Sequence, residues 1–336
     1  MARLAPHNGE ASGVTLALSV FSDGVRAHSF YGLGLESSLP LSFAPFSDNS
    51  FSDEDNPQRR VAITCGDVPG ELPDTVWSSP FVSVGSDGTV LIQTEAVGRF
   101  LVERGQSITI RPRRGVAPVE IEAFLMGPVA GVLLHQRGIL PLHGSCVEAD
   151  GCAIVLAGSV GSGKSTVAAA LLRKGASLMS DDICPVEFRG DSAPDAAVMA
   201  IPGSVGLRLW PDAKEVFEGA GVGWSPIRPG HAKQVSPVNG AKALKLRRLA
   251  AVVRLVSCKD SEPAIRRLHG PNSVMPLKEI IYRIQLGRAL GQGEALFRGA
   301  MRLAGLVSFF ELRVPQGLAR LEDTADLVLN AVRACN

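Results

Sequence analysis

A chain of 336 residues has room for two domains or for one with a large extension, and 46% apolar against 20% charged residues supports a sizeable core and excludes wholesale disorder. A formal net charge of +1 gives no global field to draw in nucleic acid or an anionic membrane, and an aromatic content of 5% argues against a surface on which bases stack. Six cysteines without a CxxC pair fit a reducing compartment, and no signal-type leader or run of about 18 apolar residues stands out, so a soluble cytoplasmic protein is expected, without nucleic-acid or membrane partners.

The first part reads as β-rich. Val14–Val20 and Val25–Leu35 carry period-two stretches, each predicting one strand. Phe43–Arg60 is a Ser/Asp/Asn/Pro-rich loop. Val61–Cys65, Phe81–Val84, Thr89–Thr94 and Gln106–Arg111 follow as strands, with Asp87-Gly88 as a hairpin signal. PRRGVA (112–117) breaks the pattern and marks the change from a domain over 1–115 to one over 116–336. Ile121–Gln136 is too long for a strand and reads as a buried helix, bent at Gly127-Pro128 and closed near Gly138.

Leu140–Val147, the turn EADG and Cys152–Ala157 predict a β-hairpin. A turn centred on Ala149–Asp150 or on Asp150–Gly151 places His143 opposite position 156 or 158. A helix over Lys164–Lys174 ends at Gly175, and a short strand, Ala176–Ser180, leads to Asp181-Asp182. The rest reads as a loop-rich stretch (Pro202–Pro237), a strand (Leu249–Val256), a helical region (Pro276–Leu306) and a final helix (Leu321–Ala334).

Between hairpin and helix stands GSVGSGKST, residues 158–166. Gly158-x4-Gly163-Lys164-Ser165 fits the Walker A pattern. Only glycine lets the backbone fold tightly enough for several N–H groups to converge on a phosphate, and the helix that follows aims its positive end at the same point. Lys164 is placed to reach the β and γ phosphates and Ser165 to ligate Mg²⁺. A strand, a helix and a second strand make a crossover, so the second strand runs parallel to the first and Asp181-Asp182 reach the same crevice. A kinase acting on a hydroxyl needs carboxylates in two roles, one supporting the metal and one taking the hydroxyl proton; the spacing leaves open which aspartate does which. His143 at the loop's mouth can orient a carboxylate or contact phosphate, whereas His135, within the apolar helix, reads as structural. Arg208 and Lys233 are candidate phosphate clamps, with an ordinary surface or ion-pair role as the alternative.

The segment LHGSCVEADGCAIVLAGSVGSGKSTVAAALLRKGASLMSDDI (142–183) resembles the HPr serine kinase/phosphorylase-like family, which is related in fold to phosphoenolpyruvate carboxykinase. The resemblance rests on the His-Gly before the hairpin, the phosphate loop, the glycine closing the helix and the paired aspartates. It implies an α/β fold: a P-loop kinase domain of that type, a mixed sheet with helices, preceded by a β-rich N-terminal domain. It also implies ATP held by Gly158, Ser159, Val160, Gly161, Ser162, Gly163, Lys164, Ser165 and Thr166, and Mg²⁺ supported by Ser165 and Asp182. Asp181 would activate a substrate serine hydroxyl, with His143 beside it. The HPr-directed signature Glu-Ile-Arg-Gly-Leu-Gly is replaced here by IPGSVGLRLWPDA (201–213), which argues against HPr as the acceptor. YGLGLESSLPL, GRFLVERGQSITIRP, LLHQRGILPLHG and LRLWPDA are similar instead to the kinase-like subgroup found with lasso-peptide biosynthesis, whose members phosphorylate the C-terminal serine of a precursor peptide. That likeness implies a serine-containing peptide or small protein as partner and a peptide-docking role for the first domain; the HPr-directed relatives imply a homo-oligomer. The alternatives are a nucleotide-dependent regulatory module or ATPase without transfer, and a small-molecule kinase.

Overall fold

Alternating apolar residues and X-Gly turns build residues 26–112 into one eight-stranded sheet. The computed structural model describes residues 26–37, 39, 41, 60–190, 195–203, 206–209, 225–226, 234–237, 245–260, 262–274 and 276–334. Strands β1 (Arg26–Phe30), β2 (Leu33–Ser37), β3 (Arg60–Cys65), β4 (Thr75–Ser79), β5 (Val82–Gly85), β6 (Val90–Thr94), β7 (Gly98–Glu103) and β8 (Ser107–Pro112) lie in the order β1-β2-β3-β8-β7-β6-β5-β4. β3 runs parallel to both β2 and β8, and the other pairs are antiparallel. The single strand expected over Val25–Leu35 is a hairpin: Tyr31 and Gly32 take φ of 50° and 77°, and Phe30 pairs with Leu33. The strand expected at Val14–Val20 lies outside the described residues, as does most of the loop expected at Phe43–Arg60.

The long apolar segment forms α1 (Pro118–Phe124), a π-helical turn (Leu125–Val129) and α2 (Ala130–Gln136). Proline opens α1 where no N–H partner is needed, and the Glu120 carboxylate accepts the Ala117 N–H at 3.1 Å. The expected bend at Gly127-Pro128 is the π turn. Pro128 has no N–H to donate, and the widened turn accommodates it. The Tyr31 hydroxyl donates to the Met126 carbonyl there at 2.9 Å. Gly138, at φ 67°, closes the helix, with Ile139 N–H returning to the Leu134 carbonyl and Gly138 N–H to that of His135.

By length and composition, Pro118–Gln136 is apolar enough to cross a membrane, where the sequence reading expected no such stretch. Its apolar residues are core: Ile121, Leu125, Val129, Val132, Leu133 and Leu134 pack in one cluster with Leu35, Ile63, Phe100, Ile108 and Ile110 of the first sheet. Ile183, Tyr282 and Leu286 belong to the same cluster, so this helix is the packing link between the first sheet and the rest of the chain.

The second sheet holds the predicted hairpin, β9 (Leu140–Ala149) and β10 (Cys152–Ala157), turned by Asp150-Gly151 with φ of 50° and 78°. Ala149 pairs with Cys152 and Gly144 with Ala157, the register that puts His143 opposite position 158. After β10 come α3 (Lys164–Arg173), β11 (Ser177–Ser180), β12 (Ile183–Arg189) and β13 (Ala197–Ala200). β11 and β10 are both antiparallel to β9, so they point the same way, as expected, with β9 between them. The stretch expected as loop carries β14 (Gly206–Leu209), β15 (Ser225–Pro226) and β16 (Gln234–Pro237), a separate three-stranded sheet. Then follow β17 (Arg247–Cys258), β18 (Ala264–Leu268), α4 (Pro271–Val274), α5 (Leu277–Ile280), α6 (Ile284–Ala289), α7 (Gly293–Leu306), β19 (Ser308–Pro315) and α8 (Leu321–Arg333).

β17 pairs in parallel with β10 on one side and β19 on the other, and its first residues pair with β13. With β9–β12 and β12–β13, these pairings close a circuit of β10, β9, β12, β13 and β17. Val167–Leu171 of α3 and Leu321, Ala325, Val328 and Leu329 of α8 pack on one face, with Ile154, Leu156, Val253 and Leu255. Leu296, Ala300 and Leu303 of α7 pack on the other, with Leu142, Val155 and Phe309. The fold is mixed α/β: among the described residues, two eight-stranded sheets and one three-stranded sheet, with helices.

Candidate functional site

The loop from β10 to α3 takes the shape its glycines allow. Gly158, Gly161 and Gly163 have φ of 144°, 82° and 90°. At Gly158 a Cβ would lie 2.7 Å from both the Leu255 carbonyl oxygen and Ser162 Oγ, so no other residue fits there. α3 starts at Lys164, and Val160 stands exposed at the loop's crest. Lys164 Nζ donates to the carbonyls of Gly158 at 2.9 Å and Ser159 at 3.0 Å, so the ammonium lies across the loop's mouth. The Ser162 hydroxyl is buried and has no hydrogen-bond partner among the described residues.

β11 delivers the two aspartates to this mouth. Asp181 is 3% exposed. Its carboxylate accepts from Ser145 Oγ at 2.6 Å and from Ser165 Oγ at 3.2 and 3.3 Å. Asp182 is the more open of the pair, with a third of its side chain exposed, and its φ of 84° is a left-handed conformation unusual for any residue but glycine. The aspartates therefore face different partners. Asp181, expected to meet the acceptor, is the one tied to the metal-type hydroxyl of Ser165, and Asp182, expected to support the metal, is the one beside His143.

His143 Nδ1 lies 3.1 Å from the Asp182 carbonyl oxygen and 3.6 Å from Asp182 Oδ1. The carbonyl can only accept, so Nδ1 carries the proton and Nε2 presents its lone pair. Burial pushes the imidazole below its ordinary range, Asp182 pulls it back up, and Lys164 pushes it down. His135 is likewise depressed by burial; its Nε2 lies 2.8 Å from the Tyr282 carbonyl, the structural role expected for it.

Both histidines bind a proton less readily folded than unfolded, so the unfolded chain takes up protons first as pH falls through its value near 6.5, and stability drops by up to about 1.4 kcal/mol per pH unit for each. Urea unfolding at pH 7.5 and 5.5 is expected to show the loss. An equal midpoint at both would contradict it.

The structure brings together the loop, Lys164, Ser165, Asp181, Asp182 and His143. Thr166 lies in the first turn of α3, partly exposed. Arg208 lies on β14, its backbone paired with Val235; its side chain and Lys233 lie outside the described residues. Sequence reasoning missed Ser145, although the signal was available: it is two residues from His143, on the same face of β9. It also missed Tyr282, whose ring centroid is 5.9 Å from that of His143. No local pattern links residues so far apart in sequence.

Among the described residues no group of three or more His, Cys, Asp or Glu could hold a metal ion by itself. A hydroxyl and a carboxylate that leave the remaining positions to phosphate oxygens and water are the donor set Mg²⁺ takes with a nucleotide, and Ser165 with Asp181 supplies that pair.

No family model matches the chain, and no curated protein matches it. Among solved structures it is similar to the Hpr(Ser) kinase/phosphatase from Coxiella burnetii, with 15% identity, a TM-score of 0.32, and coverage of 58% of this chain and 91% of that one. At that level the likeness carries no chemistry, and the site stands on its own geometry.

Proposed function

We propose that the protein is an ATP- and Mg²⁺-dependent kinase that transfers the γ-phosphoryl group to a serine hydroxyl on a peptide or small protein. The observation that carries this reading is the Asp181 carboxylate within 3.3 Å of the Ser165 hydroxyl, at the head of the glycine loop and next to the His143–Asp182 pair. A loop alone fits any nucleotide-binding module. A second carboxylate, partly open to solvent and near a histidine, is what an acceptor hydroxyl requires.

Loop amides, Lys164 and the partnerless Ser162 hydroxyl would hold the phosphates, and Ser165 with Asp181 would hold Mg²⁺, which neutralises charge between the β and γ phosphates when bound. Lys164 would exchange the two loop carbonyls for phosphate oxygens. Asp182 would take the acceptor's proton, with His143 Nδ1–H holding the Asp182 main-chain carbonyl. These assignments exchange the roles that the family resemblance implies for the two aspartates. Arg208 and Lys233 remain proposed phosphate clamps. The narrower reading, the C-terminal serine of a lasso-peptide precursor as acceptor, rests on the sequence resemblance alone.

Incubation with Mg²⁺, γ-labelled ATP and peptides ending in serine, or in alanine at the same position, tests the reading. Label on the serine peptide alone is expected. Free phosphate with no labelled peptide points to an ATPase or switch, and a labelled metabolite with unlabelled peptide points to a small-molecule kinase; either overturns it.

A further inference from the structure

Among the described residues, five other than glycine hold a positive φ. Tyr31, Arg104 and Asp150 each precede a positive-φ glycine in a hairpin turn, which accounts for them. Asp182 lies in a bend between β11 and β12, and Arg283, at φ 47°, ψ 49°, in the turn that opens α6; neither is followed by a positive-φ glycine. For a long side chain such as arginine this backbone is uncommon. Both residues belong to the surroundings of His143. Asp182 touches it directly, and Arg283 is joined to it through one ring.

That ring is Tyr282. Its centroid lies 5.9 Å from that of His143, and the Arg283 guanidinium carbon lies 5.6 Å from the Tyr282 centroid. Arg283 Nε also donates to the Tyr282 hydroxyl at 3.3 Å. Tyr282 is itself fixed. Its N–H donates to the Pro141 carbonyl at 2.8 Å, its carbonyl accepts from His135, and its ring lies so close to Gly131 that a Cβ there would come within 2.4 Å of it. The guanidinium is exposed and makes no ion pair with any carboxylate among the described residues. Arg254, Arg266, Arg313, Arg320 and Arg333, on the same half of the chain, are each neutralised by an acidic neighbour. A planar, permanently charged fork on an aromatic post that also contacts His143 is an arrangement suited to binding an oxyanion.

We propose that Arg283 binds an oxyanion delivered to the His143–Asp182 side of the site: a terminal phosphoryl oxygen of the nucleotide or a carboxylate on the acceptor. This rests on the reading above only in that the site receives ATP and a hydroxyl compound. Tyr282 is the positioning residue, and Arg283 the one that touches the ligand.

Calorimetry in the presence of Mg²⁺ tests this without requiring turnover. The probes are ATP against ADP, and N-acetylserine against its amide on the ADP-loaded protein. The parent is expected to prefer the more anionic member of at least one pair. Arg283→Met is expected to reduce such a preference at least fivefold, and Arg283→Lys to restore part of it. A reduced ATP/ADP ratio assigns the phosphoryl group, and a reduced acid/amide ratio assigns the acceptor carboxylate. Arg283→Gly, which relieves the left-handed strain, is expected to lose the same preference while melting no lower than the parent, a separation that a merely structural arginine would not give. A parent without either preference, a Met variant that keeps both ratios, or one that loses all four ligands equally would overturn the proposal. Anion preference with no phosphoryl transfer to any hydroxyl would leave this inference standing and sink the kinase reading.

Discussion

Replacing Asp182 with Asn is expected to leave Mg·ATP affinity within about twofold of the parent and to lower phosphoryl transfer by about 10²- to 10⁴-fold, the range attributed to a positioned general base. The reason lies in the surroundings of the side chain. Asp182 is partly open to solvent, and its carboxylate lies 3.6 Å from Nδ1 of the His143 ring. Asparagine keeps the size and the carbonyl oxygen facing His143 but cannot accept a proton from an alcohol. Nucleotide titration beside a transfer assay separates the two effects. A variant that transfers at the parental rate would remove Asp182 from the proton-accepting role, and one that loses ATP binding would place it with the metal.

Asp181→Asn is expected to fail differently. Asp181 is buried and accepts hydrogen bonds from Ser145 and Ser165. An amide there keeps one acceptor oxygen, turns two donors toward those hydroxyls, and removes the negative charge that would face Mg²⁺. ATP affinity measured with Mg²⁺ is expected to fall at least about tenfold, affinity without Mg²⁺ to stay close to the parent's, and transfer to fall by about 10²- to 10³-fold, the scale of losing one preorganised charge-stabilising contact. An unchanged magnesium dependence would detach Asp181 from the metal. Together the two variants decide which aspartate does what, the question that the sequence leaves open and the family resemblance answers the other way round.

Local signals carry much of the fold. EADG predicts the β9–β10 hairpin because Asp-Gly tolerates left-handed backbone, and Gly138 and Gly175 close their helices at positive φ as their positions suggest. Val25–Leu35 predicts one strand where two stand, because Tyr-Gly is a weak turn signal inside an apolar run. β19, SFFELRVP, alternates from Phe310 to Val314 but follows α7 after a single residue, so no turn signal sets it apart from the helix. β12 carries a proline, which lowers its strand character in sequence; its pairing with β9 is set by tertiary context. In the site, the residues whose chemistry depends on neighbours in sequence are legible: the glycine loop, Lys164, Ser165 and the aspartate pair. Ser145 is legible from its place two residues from His143 on β9, whereas Tyr282 and Arg283 become visible only when segments distant in sequence meet.

The closed strand circuit sets where the site can be stiff and where it can give. His143 and Ser145 lie on β9 where its partners change: His143 pairs with Ile183 of β12, and Ser145 with Leu156 of β10. Main-chain deuterium uptake is expected to be slow at these two positions, because each is paired within the closed circuit of strands. Adaptation to an incoming partner has to come from outside the circuit. In the Ile281–Arg283 stretch, Ile281 is bridged to Leu142 and Tyr282 is held by Pro141 and His135, so the exposed Arg283 side chain is the part that can move.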